Sequence, residues 1–142
     1  MTTLADLEGT TWTGDAELWL DPLGDEAERS ACTIRVEADA VRYEWARGDE
    51  PQQGSLELTK DAAVFTDTFH STEPMTMDVV DGRAMLTLAG TYGAGDGPDW
   101  GWRIALVFRP LGDGQLVLQM TNIAPWGEES RAVRMVCTHA DG

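Results

Sequence analysis

Apolar and polar side chains alternate with a period of two along most of this chain. In the stretch 100–108, Trp100, Trp102, Ile104, Leu106 and Phe108 fall on one side while Gly101, Arg103, Ala105 and Val107 fall on the other. This is the pattern of a strand with one heavily apolar face. The stretch 11–20 reads the same way, with Trp12, Gly14, Ala16, Leu18 and Leu20 together and Thr13, Asp15 and Glu17 opposite. Strand patterns recur at 31–38, 41–47, 54–59, 62–69, 74–80, 83–91, 115–122 and 130–139, which makes about ten strands. Turn chemistry separates them, at Asp21-Pro22-Leu23-Gly24-Asp25, Gly48-Asp49-Glu50-Pro51, Lys60-Asp61, Ser71-Thr72-Glu73-Pro74, Leu111-Gly112-Asp113-Gly114 and Pro125-Trp126-Gly127-Glu128. Asp81-Gly82 is the strongest hairpin signal and predicts a tight turn with positive φ. Residues 3–8 supply at most one helical turn.

The expectation is an all-β fold, a single domain over 1–142 built as an up-and-down antiparallel β-barrel, with a β-sandwich as the alternative. Closure is favoured because an open ten-stranded meander leaves two unpaired edges and a barrel leaves none.

Composition narrows the partners. Among 142 residues, 25 acidic side chains face 10 basic ones, for a formal charge of −15. That field repels phosphate backbones and anionic lipid surfaces, so nucleic acid is excluded as a partner. The first residues lack the basic and apolar regions of a signal peptide, and no stretch has the apolar length of a membrane span; the expectation is a cytoplasmic protein without membrane insertion. Nine of the ten basic residues are Arg and only Lys60 is Lys, which reads as the coding bias of a GC-rich bacterial genome. Cys32 and Cys137 belong to no metal or redox spacing and read as small buried hydrophobes.

With the more apolar face of each strand inward, the interior holds Trp12, Tyr43, Trp45, Met75, Met77, Leu86, Leu88, Trp100, Trp102, Phe108, Met120 and Asn122. Enclosing a Trp removes ~150–250 Å² from water, about 4–6 kcal/mol gross at ~25 cal/mol/Å². Such residues must be covered by protein or by a ligand. Trp12 reads as filler of a closed end. Tyr43, Trp45, Met75, Met77, Trp100, Trp102, Met120 and Asn122 are the candidate ligand-binding residues, since a ten-stranded barrel has room for a cavity. Aromatic rings and adaptable Met suit a planar or irregular apolar ligand, and Asn122 and Tyr43 are the polar groups to orient it. The loops 21–30, 92–98 and 124–130 are candidate rims.

The register of 62–70 is open by alternation alone: Ala63, Phe65, Asp67 and Phe69 form one face, Val64, Thr66, Thr68 and His70 the other. An inward Asp67 or His70 would be an acid or base inside the barrel, so Tyr43, Asp67 and His70 are the candidate catalytic groups. No metal is expected, because two isolated His and scattered carboxylates give no ligand spacing. No Ser lies in a Gly-x-Ser-x-Gly context.

The opening Leu7-Glu8-Gly9-Thr10-Thr11-Trp12-Thr13-Gly14 resembles that of calycins, the superfamily of lipocalins and fatty-acid-binding proteins, whose first strand carries Gly-x-Trp; here one more residue separates Gly9 from Trp12. The resemblance implies a basic residue near the C-terminal end packed across Trp12, with Arg134 or Arg131 as the counterpart. Asp67-Thr68-Phe69-His70, Gly97-Pro98-Asp99-Trp100-Gly101-Trp102-Arg103 and Met120-Thr121-Asn122-Ile123-Ala124-Pro125 are similar to segments of small uncharacterised bacterial calycin-like proteins. That likeness implies a β-barrel and transfers no activity. Nitrobindin-type haem barrels are a related comparison, but their axial His is matched only loosely by His139; haem is disfavoured and no cofactor is expected.

Three functional classes follow. The first is binding of a small, mainly apolar or aromatic molecule in the barrel interior. The second is an enzyme of isomerase, cyclase or lyase type that uses the same cavity on a small hydrophobic substrate. The third is a homodimeric interaction module, resting on Trp19 and Trp126, which alternation places outward or on a turn.

Overall fold

The computed structural model describes residues 2–20, 26–82, 84–93 and 96–140. A single 3₁₀ turn (Ala5–Leu7) precedes ten strands: β1 (Thr11–Leu18), β2 (Glu28–Val36), β3 (Ala40–Arg47), β4 (Glu50–Leu58), β5 (Ala62–Asp67), β6 (Ser71–Val79), β7 (Leu86–Tyr92), β8 (Trp100–Arg109), β9 (Gln115–Ile123) and β10 (Glu129–His139). Each strand pairs antiparallel with the next, and β10 returns to β1, so the sheet closes into an up-and-down barrel. The closing seam runs from Trp12 opposite His139 to Leu18 opposite Val133. The all-β barrel expected from alternation is the fold observed.

The period-two pattern is what fills the barrel. Ile34, Leu56, Phe65, Met77, Leu88, Ile104, Leu106, Leu118, Met120 and Met135 are fully enclosed, while the charged residues between them, Asp67 apart, stand on the outer face. This is the reverse of a barrel built to face lipid. No helix among the described residues is long and apolar enough to cross a membrane.

One end of the barrel is plugged. Leu7, in the 3₁₀ turn, is buried against the core, and Trp12 Nε1 donates to Thr10 Oγ1 at 2.8 Å. The Trp12 ring meets Phe108 and His139 edge-on, with centroids 6.2 and 5.1 Å away. Gly114, at φ +103°, tucks the β8–β9 turn beneath Phe108, where a Cβ would come within 2.9 Å of the ring. His139, not an arginine, packs on Trp12. Arg131 lies over Trp19, with its guanidinium carbon 4.5 Å from the ring centroid, and Arg134 stands opposite Glu17 in the β1–β10 ladder.

Three local features depart from simple alternation. Asp81-Gly82 does not make the tight hairpin: β6 ends at Val79, β7 begins at Leu86, and Gly82 has no positive φ. The Val80 N–H bonds to the Thr87 carbonyl at 3.0 Å, so the strands part before Asp81-Gly82, and among the described residues the β6–β7 ladder holds the pairs Asp78–Ala89 and Val79–Leu88.

The second departure is in β10, whose register slips between Arg131 and Val133. The bulge buries both Ala132 and Val133, and the Ala132 carbonyl accepts the Trp19 N–H at 3.0 Å. Trp19, expected outward, is thereby drawn in to 8% exposure, while Leu20 is left 47% exposed. The third lies at the end of β5, where the register against β6 slips between Phe65 and Asp67.

Candidate functional site: a cavity at the barrel mouth

The end opposite the Trp12 plug opens into a cavity of about 470 Å³, a size ordinary for a small-molecule site. Trp19 and Leu20 enter it after β1; Phe69, His70 and Ser71 come from the β5–β6 turn; Met75, Tyr92, Trp102 and Asn122 come from the ends of β6 to β9; Arg131 and Ala132 complete the ring at the β10 bulge.

Behind the His70 wall of this cavity lies a single cross-strand row. Tyr43, Gly54 and Asp67 stand opposite one another on β3, β4 and β5, all facing in. Because Gly54 has no side chain, the Tyr43 ring lies across it and its hydroxyl donates to Asp67 Oδ2. The other carboxylate oxygen, Oδ1, accepts the backbone N–H of Phe69 at 2.7 Å and of His70 at 2.8 Å. This Asx-type turn ends β5 and breaks the alternation. Phe69 and His70, on opposite faces if the strand had run on, therefore both reach the cavity.

His70 is held on every side. Its Nδ1 lies 3.4 Å from Asp67 Oδ1, long for a hydrogen bond, and is shut off from solvent. Its ring sits 6.0 Å from Trp45 and 5.5 Å from Trp102, tilted 34° to each, with Phe69 edge-on at 4.8 Å.

Burial by itself pushes the Asp67 carboxyl up, but the hydrogen bonds from His70 and Tyr43, together with the charge of His70, outweigh it and hold the group below its ordinary 3.8. Burial, and then the Asp67 charge, push the Tyr43 hydroxyl well above its ordinary value. Asp67 is thus an anion and Tyr43 a neutral donor. The carboxylate faces the Nδ1 edge of the His70 ring, and Nε2 lies at the opposite edge.

Across the mouth, the Tyr92 hydroxyl donates to Asn122 Oδ1, and burial pushes that phenol up. The indole N–H groups of Trp19, Trp45 and Trp102 are buried without an acceptor among the described residues. Unsatisfied donors gathered at one end of a barrel are more typical of sites than of cores.

Of the residues singled out from sequence, Met75, Trp102, Asn122 and His70 line the cavity. Trp45 backs His70, and Tyr43 and Asp67 form the support beneath it. Met77 and Met120 are enclosed in the core below. Trp100 is half-buried and packs edge-on against Trp126 at 5.5 Å, with Trp126 72% exposed. Of the expected rims, residues 21–25 and 94–95 lie outside the described residues.

Sequence reasoning missed Trp19, Leu20, Phe69, Ser71, Tyr92, Arg131 and Ala132. A signal existed for Tyr92, which shares its parity with Leu86, Leu88 and Gly90, and for Phe69, which follows an Asp at a strand end. None existed for Trp19, which the bulge reorients.

A second depression, of about 360 Å³, lies over Gly54, with Tyr43 and Asp67 among its lining residues. The others include Arg35, Arg42, Glu44, Gln53, Ser55 and Thr66, and Arg42 is paired with Glu37 at 2.9 Å. It is a polar dent in the sheet where the mouth is aromatic. Among the described residues no group of His, Cys, Asp or Glu could hold a metal ion. No family model and no curated protein matches this chain.

Proposed function

We propose that this protein is a calycin-like binding barrel that takes a small, mainly apolar or aromatic molecule in the cavity at its mouth. The observation that carries the reading is the contrast along the barrel axis: a core of fully enclosed side chains gives way at one end to about 470 Å³ of space with Trp19, Phe69, Tyr92 and Trp102 among its walls. A barrel that needed only to be stable would gain by filling that space. Native mass spectrometry and Trp fluorescence against naphthalene-type and fatty-acyl probes test it. One-to-one binding that Met75→Trp abolishes is expected; no binding by any probe, or binding indifferent to Met75→Trp, rejects it.

The convergence of Asp67 and His70 favours a second reading, an enzyme that moves a proton on a small hydrophobic substrate, as an isomerase, cyclase or lyase does. His70 Nε2 would be the base and Asp67 would hold the tautomer, with orientation in the cavity supplying the rest. Deuterium uptake from solvent into 2-tetralone, accelerated by the wild type and not by His70→Ala, is the expected signature. Equal rates with both proteins remove this reading and leave the first intact.

A further inference from the structure

Away from the mouth, the depression of about 360 Å³ over β2 to β5 gathers charged groups that the sheet leaves unmatched. Its floor is the row of Tyr43, Gly54 and Asp67, with the tyrosine and the carboxylate turned inward and buried. Two outward rows flank that floor. On one, Arg35 stands opposite Arg42, Arg42 opposite Ser55, and Ser55 opposite Thr66. On the other, Glu44 stands between Thr33 and Gln53. The rows are two residues apart along each strand, about 6.8 Å.

Two arginines directly opposite each other form an unfavourable cross-strand pair, and the chain has only 10 basic residues to set against 25 acidic ones. Arg42 is matched in part. Its Nε meets both carboxylate oxygens of Glu37, at 2.9 and 3.2 Å, and its terminal amino groups are left open. Arg35 makes no ion pair among the described residues, and neither does Glu44. Glu44 is the diagonal neighbour of Arg35, within reach of so long a side chain, yet the two are not joined. A pair of cations and a carboxylate therefore hold opposite flanks of one polar hollow.

Charge decides what such a hollow can hold. A simple anion gains the arginines but meets Glu44 and the field of a protein with formal charge −15. A simple cation gains Glu44 but meets two guanidinium groups. A molecule that carries both charges satisfies both flanks and, being neutral overall, is not repelled. We infer that this hollow binds a small zwitterion of the amino-acid type, with its carboxylate on the planar forks of Arg35 and Arg42 and its ammonium on Glu44. The hydroxyls of Ser55 and Thr66 continue the arginine row and serve the carboxylate side. The site is separate from the mouth cavity and does not depend on the mouth holding a ligand.

The test follows amide chemical shifts of the isotope-labelled full chain during titration with glycine and 4-aminobutyrate, and with acetate and ethylammonium as half-ligands. At least one of the two zwitterions should shift the amides around Arg35, Arg42 and Glu44 and bind about fivefold more tightly than either half-ligand, the scale of one exposed ion pair. Arg35→Gln should weaken that zwitterion about fivefold. Glu44→Gln should weaken it similarly and strengthen acetate, so that the two bind alike. Both positions are exposed, and an otherwise unchanged spectrum verifies that the variants fold. Met75→Trp, which fills the mouth, should leave the titrations as they were.

Absence of shifts in these strands with both zwitterions overturns the assignment. So does acetate binding the wild type as tightly as the zwitterions, a preference for the zwitterion that survives in Glu44→Gln, or binding that Met75→Trp removes.

Discussion

The Nδ1 of His70 lies 3.4 Å from Oδ1 of Asp67, and the same oxygen accepts the backbone N–H of His70 at 2.8 Å. One carboxylate thus ends a strand, sets the path of the following turn and orients the ring that the turn delivers. Asp67→Ala removes the acceptor from several buried donors at once and is expected to lower stability by about 2–3 kcal/mol. Asp67→Asn retains a carbonyl oxygen for the turn and should lose less. Urea unfolding of both variants checks the order.

The same network sets both limbs of the pH profile. Asp67 is held below its ordinary value of 3.8 in the folded protein, so its contribution is complete above about pH 4 and is lost as pH falls through the lowered folded value. Tyr43 is held above its ordinary value of 10.0. Its contribution is complete below that pH and declines above it, because the unfolded chain ionises first. Plotting the urea midpoint against pH, the acid limb should flatten in Asp67→Asn and the alkaline limb in Tyr43→Phe. Unchanged limbs would refute the assignment of charge.

Gly54 makes the Tyr43–Asp67 contact possible. A Cβ there would lie 2.2 Å from the Tyr43 hydroxyl oxygen and 2.3 Å from the ring carbon bearing it. Gly54→Ala is therefore expected to destabilise by about 1–3 kcal/mol through overpacking, although β-propensity alone would favour the Ala. Because Tyr43 must move off Asp67, the near-ultraviolet circular dichroism should change as well. A stable variant with an unaltered spectrum would show that the ring does not lie across Gly54.

Cys32 and Cys137 flank Gly14 in one inward row, and with no side chain between them their sulfurs come to 3.5 Å. The hydrogen bond with Cys137 and burial push the Cys32 thiol up. Both thiols should stay unreactive toward a disulfide reagent in native buffer and react together once urea unfolds the chain. Rapid labelling of either in the native state would contradict the packing.

The fold was legible because a barrel is the direct consequence of its alternation: Trp102, Met75 and Asn122 could be placed inward from parity alone. Where parity failed, a backbone event intervened. Ala132 adds a residue to β10, and Trp19 is turned from the outer face to the inner one. Asp67 caps its own strand, and His70 arrives by a turn that no periodicity describes. Asp81-Gly82 has the composition of a tight hairpin, yet the strands part before it, at the pairing of Val80 with Thr87. The polar part of the candidate site depends on two of these three events, which is why sequence supplied its members but not their arrangement.

The seam between β1 and β10 joins the first strand of the barrel to the tenth, and the Trp19 wall of the cavity is pinned to Ala132 across it. A nascent chain lacking β10 carries nine strands of an open sheet, with one flank of β1 unpaired and the cavity missing a side. Such long-range pairing is slow to find and leaves exposed edges while it is sought. Any ligand that spans the cavity would act as a staple across the last-formed joint, so its clearest effect in the cell should be on how fast the finished barrel reopens.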